Sequence, residues 1–578
     1  MEDLKNQLIQ AYKDENFFEF IQKIYYQDRK GDKILASALI EVHNNKEIDL
    51  IALFSEFKNS PEQHDFFSVR RVLEEVLPEL DAPVIITANC VKHLTLEAGQ
   101  DMAAGMLVSP FISFCANKPT RPTELLKHAL ALGDKEFDHV STALIAGAKI
   151  DSADYVEQAI GLISGECELV KQRSIFALGR MNLDNEEQII AAVNAIMDFT
   201  KTSKNDQTLA TSLRALFALT SRVNKIEMLF LSFLDCHSKH RGENFIHAAS
   251  ETLFYDAEKV SLNVEKRLLD ICIYTPEKNS GTINNLDYAL EKILKRNDFE
   301  ACIKFFDEFF QQTNFKVSIK EFDSFVRELH NYKDTYLSTL ITKWLLSQNI
   351  YLCKFSLDLV RDFDKGLSLS FDENCIPSDS EGVYVYLARK ACGWFFNQPK
   401  TAISLIESLI SNAPDSELNE IEKAVFNPLC ISYPRSITEQ MESSKEAECK
   451  RLAQFANNVL TSYENYQTSI RAAVEIEELK PSESDRHTYW RHHNKLMDES
   501  MKKARSKSFL TSLFAGNESV LLYGNKSIHY IHHGDQKTRQ EIPLQEISHS
   551  FEFASMHNVD PHGLENILWQ FKAEGCQA

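Results

Sequence analysis

The sequence predicts a mainly α-helical protein, an α-solenoid followed by a small C-terminal α+β domain. Glycine and proline number only 18 and 15 in 578 residues, near half of their usual shares of about 7% and about 5%. A pattern of small and large apolar residues recurs at helical spacing, which is typical of stacked helical repeats. After Gly516 the apolar period changes from helical to alternating, which indicates strands.

The N-terminal region, residues 1–137, is predicted to be helical. Apolar residues at helical spacing predict helices near Phe17, Lys33 and Ile48. Pro61 lies at a break between such stretches, where proline ends one helix or begins the next. We therefore expect helices of about 10–15 residues, the length common in repeats.

Residues 138–369 are predicted to form helical repeats, which are clearest from residue 138 to about residue 275. The run Phe176-Ala-Leu-Gly is nearly repeated at Phe217-Ala-Leu-Thr, and a weaker copy begins at Ser141. These intervals of roughly 31 to 41 residues suit a repeat of two helices. A single repeat cannot bury its apolar face alone, so we expect an array whose surface binds a partner.

Over residues 138–275 this pattern resembles HEAT repeats. The residues that match the second helix of the family and its following turn are Val170, Arg173, Ala177, Leu178, Gly179 and Asp184. The resemblance implies an α-solenoid with a concave groove for protein, peptide or nucleic acid, and it supplies no catalytic residue. It also implies that neighbouring helices approach closely at Ala177 and Gly179.

Farther along the chain, phenylalanines follow a helical stripe from Phe299 to Phe310. Such a stripe is more often protein core than a ligand platform, so we expect it to be buried. Residues 370–382 form the most loop-like stretch of the body and predict a hinge or boundary. A second helical subdomain is expected over residues 383–480.

Composition limits the function classes. A net charge of -21 disfavours general nucleic-acid binding, because an acidic surface repels phosphates. The 12 cysteines contain no C-x-x-C pair, which favours reduced thiols and a cytoplasmic protein. No signal peptide or long apolar run is apparent, so no membrane segment is expected.

Residues 486–507 form a basic segment in an otherwise acidic chain, with seven Lys/Arg, two acids and three histidines. One interpretation, which we favour from the sequence, is a helix that docks on the protein's own acidic surface. The other is a contact with nucleic acid, a nucleotide phosphate or an acidic partner, with aromatic rings available for stacking. The candidate binding residues are Arg486, Tyr489, Trp490, Arg491, Lys495, Lys502, Lys503, Arg505 and Lys507.

Residues 517–578 are predicted to be a small domain of a β-meander and one helix. The predicted strands are Ser519–Tyr523, Lys526–His533, Thr538–Leu544 and Ser548–Phe553, and a closing helix begins at Pro561.

One candidate metal site lies within this tail. It comprises His529 and His533, which share a strand face, and Asp535 in the following turn. Zinc needs three or four such ligands at about 2 Å. We therefore expect these histidines to occupy a solvent-facing sheet surface, with metal binding as the less favoured alternative.

The sequence carries no P-loop, dinucleotide, zinc-protease, serine-hydrolase or kinase motif. The favoured function is a non-enzymatic scaffold or adaptor, without a cofactor, that binds one or more partner proteins through the α-solenoid groove and the C-terminal tail domain, within a multi-subunit assembly. The alternative is a nucleic-acid-sensing or nucleic-acid-binding subunit that uses residues 486–507, by fold-level analogy with multi-protein systems such as bacterial phage defence. An enzyme with an unrecognised site in the C-terminal domain is a third and weaker interpretation.

Overall fold

The computed structural model describes most of the chain, and its described part is mainly α-helical. It describes residues 2–28, 34–60, 65–132, 139–183, 185–223, 226–255, 259–361, 366–377, 381–506, 526–533, 536–543 and 552–575. The chain divides into two compact units, Met1–Phe325 and Val326–Ala578. The five regions expected from the sequence, with boundaries near residues 137, 369, 480 and 517, stay a prediction.

The first unit consists of short helices, the last of which continues across the unit boundary. In chain order they are α1 (Glu2–Lys13), α2 (Phe17–Asp28), α3 (Ile34–Asn44), α4 (Leu50–Glu56), α5 (Phe66–Val76), α6 (Val84–Ala98), α7 (Val108–Ala116), α8 (Thr120–Leu132), α9 (His139–Ala148), α10 (Ser152–Ile163), α11 (Glu168–Arg180), α12 (Glu186–Thr200), α13 (Asp206–Thr220), α14 (Glu227–His237), α15 (Glu243–Tyr255), α16 (Leu262–Cys272), α17 (Ser280–Lys295), α18 (Phe299–Gln312) and α19 (Asp323–Leu329).

The second unit is also mainly helical and includes one β-hairpin. Its elements are α20 (Ser338–Leu346), α21 (Ile350–Asp358), α22 (Val383–Trp394), α23 (Pro399–Ile410), α24 (Asp415–Ala424), α25 (Pro434–Lys445), α26 (Lys450–Val474), α27 (Glu483–Ser506), β1 (Lys526–His533), β2 (Gln536–Pro543), α28 (Met556–Val559) and α29 (Pro561–Ala573).

Helices of the first unit stack in a repeat-like order. From α9 to α17, each odd-numbered helix packs on the odd-numbered helix that follows it. Even-numbered helices form a second row, in which α10 packs on α12, and α14 and α18 both pack on α16. Consecutive helices such as α10 and α11 also pack on each other, joining the two rows. This arrangement is the helical repeat that the small and large apolar pattern predicts.

Side-chain hydrogen bonds between neighbouring repeats give the repeat length directly. The Gln172 amide donates to the Thr211 hydroxyl at 3.2 Å, across 39 positions of the chain. Arg214 Nε donates to a Glu251 oxygen at 2.7 Å, across 37 positions. These spacings lie between the two intervals of roughly 31 and 41 residues that the sequence shows, and they are compatible with a helical repeat of that length.

Gly179 lies where two stacked helices come closest, as the repeat pattern predicts. A Cβ atom added at Gly179 would lie 2.7 Å from the Ala215 Cα atom and 2.9 Å from its Cβ atom. Ala177 on the same helix has no exposed surface. Glycine therefore permits α11 and α13 to pack with their backbones in contact. Asp184, expected at the following turn, lies outside the described residues.

Carboxylates from neighbouring segments cap the N-termini of several helices. Asp206 caps α15, Asp287 caps α19, Glu417 caps α22 and Glu552 caps α25. Each carboxylate accepts two backbone N–H hydrogen bonds of 2.8 to 3.1 Å. The first N–H groups of a helix have no partner within the helix, so these contacts satisfy them and fix one helix relative to another.

The phenylalanine stripe of α18 is core, which confirms the prediction. Phe305, Phe306, Phe309 and Phe310 are all at most 3% exposed. The Phe305 and Phe309 rings stack at 5.2 Å, and the Phe306 ring meets Phe322 edge-on at 5.0 Å. These rings hold α18 in place, and all four side chains are part of the core.

The predicted hinge stretch begins in an extended segment that is fixed to helix α23. Backbone N–H groups at alternate positions of this segment donate to hydroxyls spaced three and four residues apart on the helix. The bonds join Leu367 to Thr401 at 2.8 Å, Leu369 to Ser404 at 3.0 Å and Phe371 to Ser408 at 2.9 Å. The Leu369 and Phe371 side chains are buried. This segment is therefore packed structure, whereas a hinge or boundary within residues 370–382 stays a prediction.

The C-terminal region contains two of the predicted strands. β1 and β2 pair antiparallel, with Lys526 opposite Pro543 and His533 opposite Gln536. The strand predicted over 519–523, and most of the one predicted over 548–553, lie outside the described residues. The closing helix α29 does begin at Pro561, but it packs on α22. A separate α+β domain is thus not shown.

The described terminal segment, residues 552–575, belongs to the second unit and is held on its helices by polar contacts at both ends. The Lys390 ammonium donates to the Lys572 carbonyl at 2.5 Å, and Arg389 pairs with Glu574 at 2.8 Å. Upstream, the Ser555 backbone N–H donates to the Ser432 carbonyl at 2.9 Å. Burial lowers the pKa of Lys390, yet the carbonyl contact gives its charge a partner. The last described residues are therefore part of the helical body.

Candidate functional site

Helix α27 carries the basic segment and is exposed along its described length. Tyr489 and Trp490 are 46% and 57% exposed. Leu496, Met497 and Met501 follow on the same helix and are each about half exposed. A helix that docked on the protein's own surface would bury one face. The described side chains of α27 show no such buried face, so they do not support the self-docking interpretation.

Three aromatic rings form a surface cluster near the start of α27. The Tyr489 and His493 rings stack with centroids 6.1 Å apart and an interplanar angle of 13°. Trp490 stands edge-on to both, at 5.9 Å from Tyr489 and 5.8 Å from His493. The cluster fixes the orientation of two large rings at the surface, which is the arrangement that hot-spot residues have in protein interfaces.

The basic residues of α27 lie on the same helix as this cluster. Arg486, Arg491, Lys495 and Lys502 are exposed, and within the described part of the chain none of these four forms an ion pair. Lys503 and Arg505 belong to the helix, but their side chains lie outside the described part, as does the whole of Lys507. Cations without an ion pair, on the same helix as two exposed rings, are suited to bind a carboxylate or a phosphate.

The predicted metal ligands are not brought together by any described contact. His529 and His533 both lie on β1, but their side chains and the whole of Asp535 lie outside the described residues. Four residues of strand span roughly 13 Å, whereas zinc ligands lie about 2 Å from a single ion. No cluster of three or more metal-ligating side chains occurs among the side chains that the structure describes.

A groove of about 500 Å³ lies between α16 and α18. Its apolar floor includes Leu269, Ile273 and Phe305. Five acidic side chains, among them Asp270 and Glu308, line it together with two lysines, Lys266 and Lys304. An apolar floor with an acidic rim suits a segment that presents apolar and basic side chains together.

A second cavity, of about 620 Å³, has the opposite charge. Four cationic side chains, Arg180, Arg214, Arg222 and Lys259, line it together with one carboxylate, Glu251. It lies at the C-terminal ends of α11, α13 and α15. The sequence analysis missed this cluster. In the sequence, the signal for this cluster is one cation near the end of each of three successive odd-numbered helices, spaced about one repeat apart: Arg180, Arg222 and Lys259.

Most buried cysteines of the protein are poor nucleophiles. Burial raises the pKa of Cys90 to about 11 and that of Cys115 to about 12. Cys353 and Cys430 are raised in the same way, to about 11 and about 12. A thiol reacts as its thiolate, so these side chains act as small apolar groups of the core at neutral pH.

Comparisons with known proteins identify no relative. The chain matches no protein-family model and no curated protein. Within the described residues, no helix combines the length and the apolar character that crossing a membrane requires.

Proposed function

We propose that the protein is a non-enzymatic scaffold or adaptor, a HEAT-like solenoid that binds a partner protein through helix α27. The observation that carries this proposal is the exposure of Tyr489 and Trp490 beside unpaired cations. Exposed aromatic rings in a soluble protein lose water favourably when a partner covers them. The adjacent arginines can then bind carboxylates of that partner in fork geometry.

Anchoring of the chain on both sides of α27 supports this role. Phe455 and Val459 are buried in the first half of α26. Past the hairpin, Glu552 bonds to the backbone N–H groups of Arg435 and Ser436 at 2.8 Å each. The exposed helix is thus flanked by segments that belong to the second unit. Such an element can recruit one molecule while the repeats remain available to another.

Affinity purification from the native host with the full-length protein tests the proposal. Trp490→Ala should lose a partner that the wild-type chain recovers, because it removes the most exposed ring of the cluster. Trp569→Ala is the matched control, since Trp569 is 70% exposed on α29, away from the cluster. Retention of every partner by the Trp490 variant would contradict the proposal, as would equal losses by both variants.

Nucleic-acid binding is the second candidate, favoured by the same rings and cations. Bases stack on aromatic rings for about 1–3 kcal/mol each, and cations contact phosphates. The net charge of -21 opposes a polyanion at long range. A salt titration with a single-stranded oligonucleotide decides between the two functions. A log affinity that falls with log salt at a slope of roughly -0.7 per phosphate contacted, and that Trp490→Ala weakens, would favour this second candidate.

A further inference from the structure

Helix α27 carries its large apolar and aromatic side chains on one side. At about 100° per residue, they fall within an arc of about 140° around the helix. These side chains, which we call the α27 stripe, are Tyr489, Trp490, His493, Leu496, Met497 and Met501. Packing of an apolar side normally supplies most of the stability of a helix, and this helix of 24 residues has no such contact among its described side chains. The stripe therefore indicates a surface that another molecule covers.

Three cations of the helix lie on the opposite side. Arg491, Lys495 and Lys502 fall about 145° to 175° from the middle of the stripe. A strand of nucleic acid that stacked on the rings would leave these cations on the far side of the helix, away from its phosphates. Two copies of α27 that met through their stripes would point the same cations away from each other. The distribution of charge around the helix thus permits self-association and disfavours a polynucleotide.

The charges that border the stripe differ in sign between the two ends of the helix. Glu483 and Asp485 lie in the first turn, whereas Lys503 and Arg505 lie close to the last residue, Ser506. Asp485 and Lys503 are 18 positions apart, which is about five turns, so both occupy the same edge of the stripe. Glu483 and Arg505 occupy the other edge. The period of the helix backbone sets these four positions.

We propose that two copies of the protein associate through their α27 helices, packed antiparallel with the stripes facing each other. A two-fold axis between antiparallel helices brings the same edge of both helices side by side. Asp485 of one copy then lies level with Lys503 of the other, and this pairing of opposite charges occurs at both ends. Parallel packing would place acid beside acid and cation beside cation, which is unfavourable. Charge complementarity therefore selects a second copy in the antiparallel orientation.

The apolar part of the helix is self-complementary in the same arrangement. The rings lie in the first half of α27, and the two methionines lie in the second half. Antiparallel packing brings Trp490 of one copy level with Met497 and Met501 of the other, and contacts between a thioether and an aromatic ring are favourable. Arg486, within the stripe near its first end, meets the negative C-terminal end of the second helix. The inference rests on the proposed function, because it uses the same helix, and it names the molecule that covers that helix.

Sedimentation equilibrium of the purified full-length protein tests the association. Two single helices form an interface at the small end of the range for proteins, so we expect a monomer–dimer equilibrium with a Kd of about 10–100 µM. Trp490→Ala should weaken the dimer about tenfold or more, because it removes the largest side chain of the stripe. Trp569→Ala is the matched control, since Trp569 is 70% exposed on α29, and it should leave the Kd unchanged.

Charge reversal tests the antiparallel orientation. One variant combines Glu483→Lys with Asp485→Lys, and the other combines Lys503→Glu with Arg505→Glu. Each variant alone should dimerise more weakly than the wild type, because like charges then meet at both ends of the pair. An equimolar mixture of the two variants should recover association close to that of the wild type, because opposite charges meet again. Recovery in the mixture also shows that neither variant fails through loss of folding.

Three results would overturn the proposal. A chain that stays monomeric at about 500 µM does not self-associate through this helix. A dimer that Trp490→Ala leaves intact has its interface elsewhere. Charge variants that dimerise as tightly as the wild type, or a mixture that does not recover, would exclude the antiparallel pair. All these measurements use the purified chain alone, so their failure leaves the proposed scaffold function standing if Trp490→Ala still loses a different protein from the native host.

Discussion

Replacing Gly179 by leucine tests the closest helix contact of the repeat array. The first added atom would meet the Ala215 Cα atom at 2.7 Å and its Cβ atom at 2.9 Å. A backbone atom cannot rotate aside, so α11 and α13 would have to separate. Inserting extra methylenes into a packed site costs about 1–3 kcal/mol. The gain in helix propensity on replacing glycine offsets about 0.8 to 1 kcal/mol of this cost.

Subtracting the propensity gain from the cost of the overlap leaves an expected fall of up to about 2 kcal/mol in the free energy of unfolding. Gly161→Leu is the matched control. Gly161 also lies within a helix, α10, but an added Cβ atom there meets nothing within 4 Å. That variant should keep the propensity gain without the overlap, and should be as stable as the wild type or slightly more so.

Urea unfolding followed by circular dichroism measures both variants, with hydrogen exchange to localise the change. Long repeat arrays need not unfold in a single step. The exchange data should therefore show faster opening of amides in α11 and α13 of the Gly179 variant. Equal unfolding midpoints for Gly179→Leu and Gly161→Leu would refute the assignment of Gly179 to a helix contact.

Three further outcomes are expected. Glu552→Ala removes the carboxylate that caps α25. It should lower the free energy of unfolding by about 0.5–2 kcal/mol and speed cleavage of the C-terminal segment in limited proteolysis. Glu565→Ala, on an exposed face of α29, is the control and should do neither. Burial raises the pKa of Glu407 above its ordinary 4.5, against the lowering effect of the Ser444 hydroxyl. The difference in the free energy of unfolding between the wild type and Glu407→Gln should therefore favour the wild type most below pH 4.5 and shrink as the pH rises through the folded pKa. A pH-independent difference in urea midpoints would contradict this. Trp490→Ala should change stability by less than about 0.5 kcal/mol, and a larger loss in urea unfolding would mean that the ring is part of the core.

The helical repeats could be predicted because their causes are local in sequence. Stacked helices need small residues where they come closest, and the position of Gly179 between larger residues indicates such a contact. The recurrence of Phe176 at Phe217 indicates that the contact repeats. The stripe from Phe299 to Phe310 has the period of a helix, and its burial follows. Each of these signals lies within one helix or recurs after one repeat.

Other features depend on contacts that a single stretch of sequence does not show. The segment that begins at Gly366 looks like a loop because its own residues have no helical period. It is ordered because Thr401, Ser404 and Ser408 present hydroxyls to it from another helix. The basic segment of α27 is the opposite case. Its composition was visible, but whether an acidic surface of the same chain covered it depended on the whole fold.

Part of the excess of acidic over basic residues in the chain has a structural role. Asp206, Asp287, Glu417 and Glu552 each neutralise the N-terminus of a helix, so these charges face the protein's own backbone rather than a partner. Their negative charge is offset by the roughly +0.5 at each helix N-terminus that they contact. Part of the net charge of -21 is thus placed where it stabilises helix ends. Selection of a partner then depends on where cations lie without an ion pair, and among the described side chains Arg486, Arg491 and Lys495 of helix α27 are such cations.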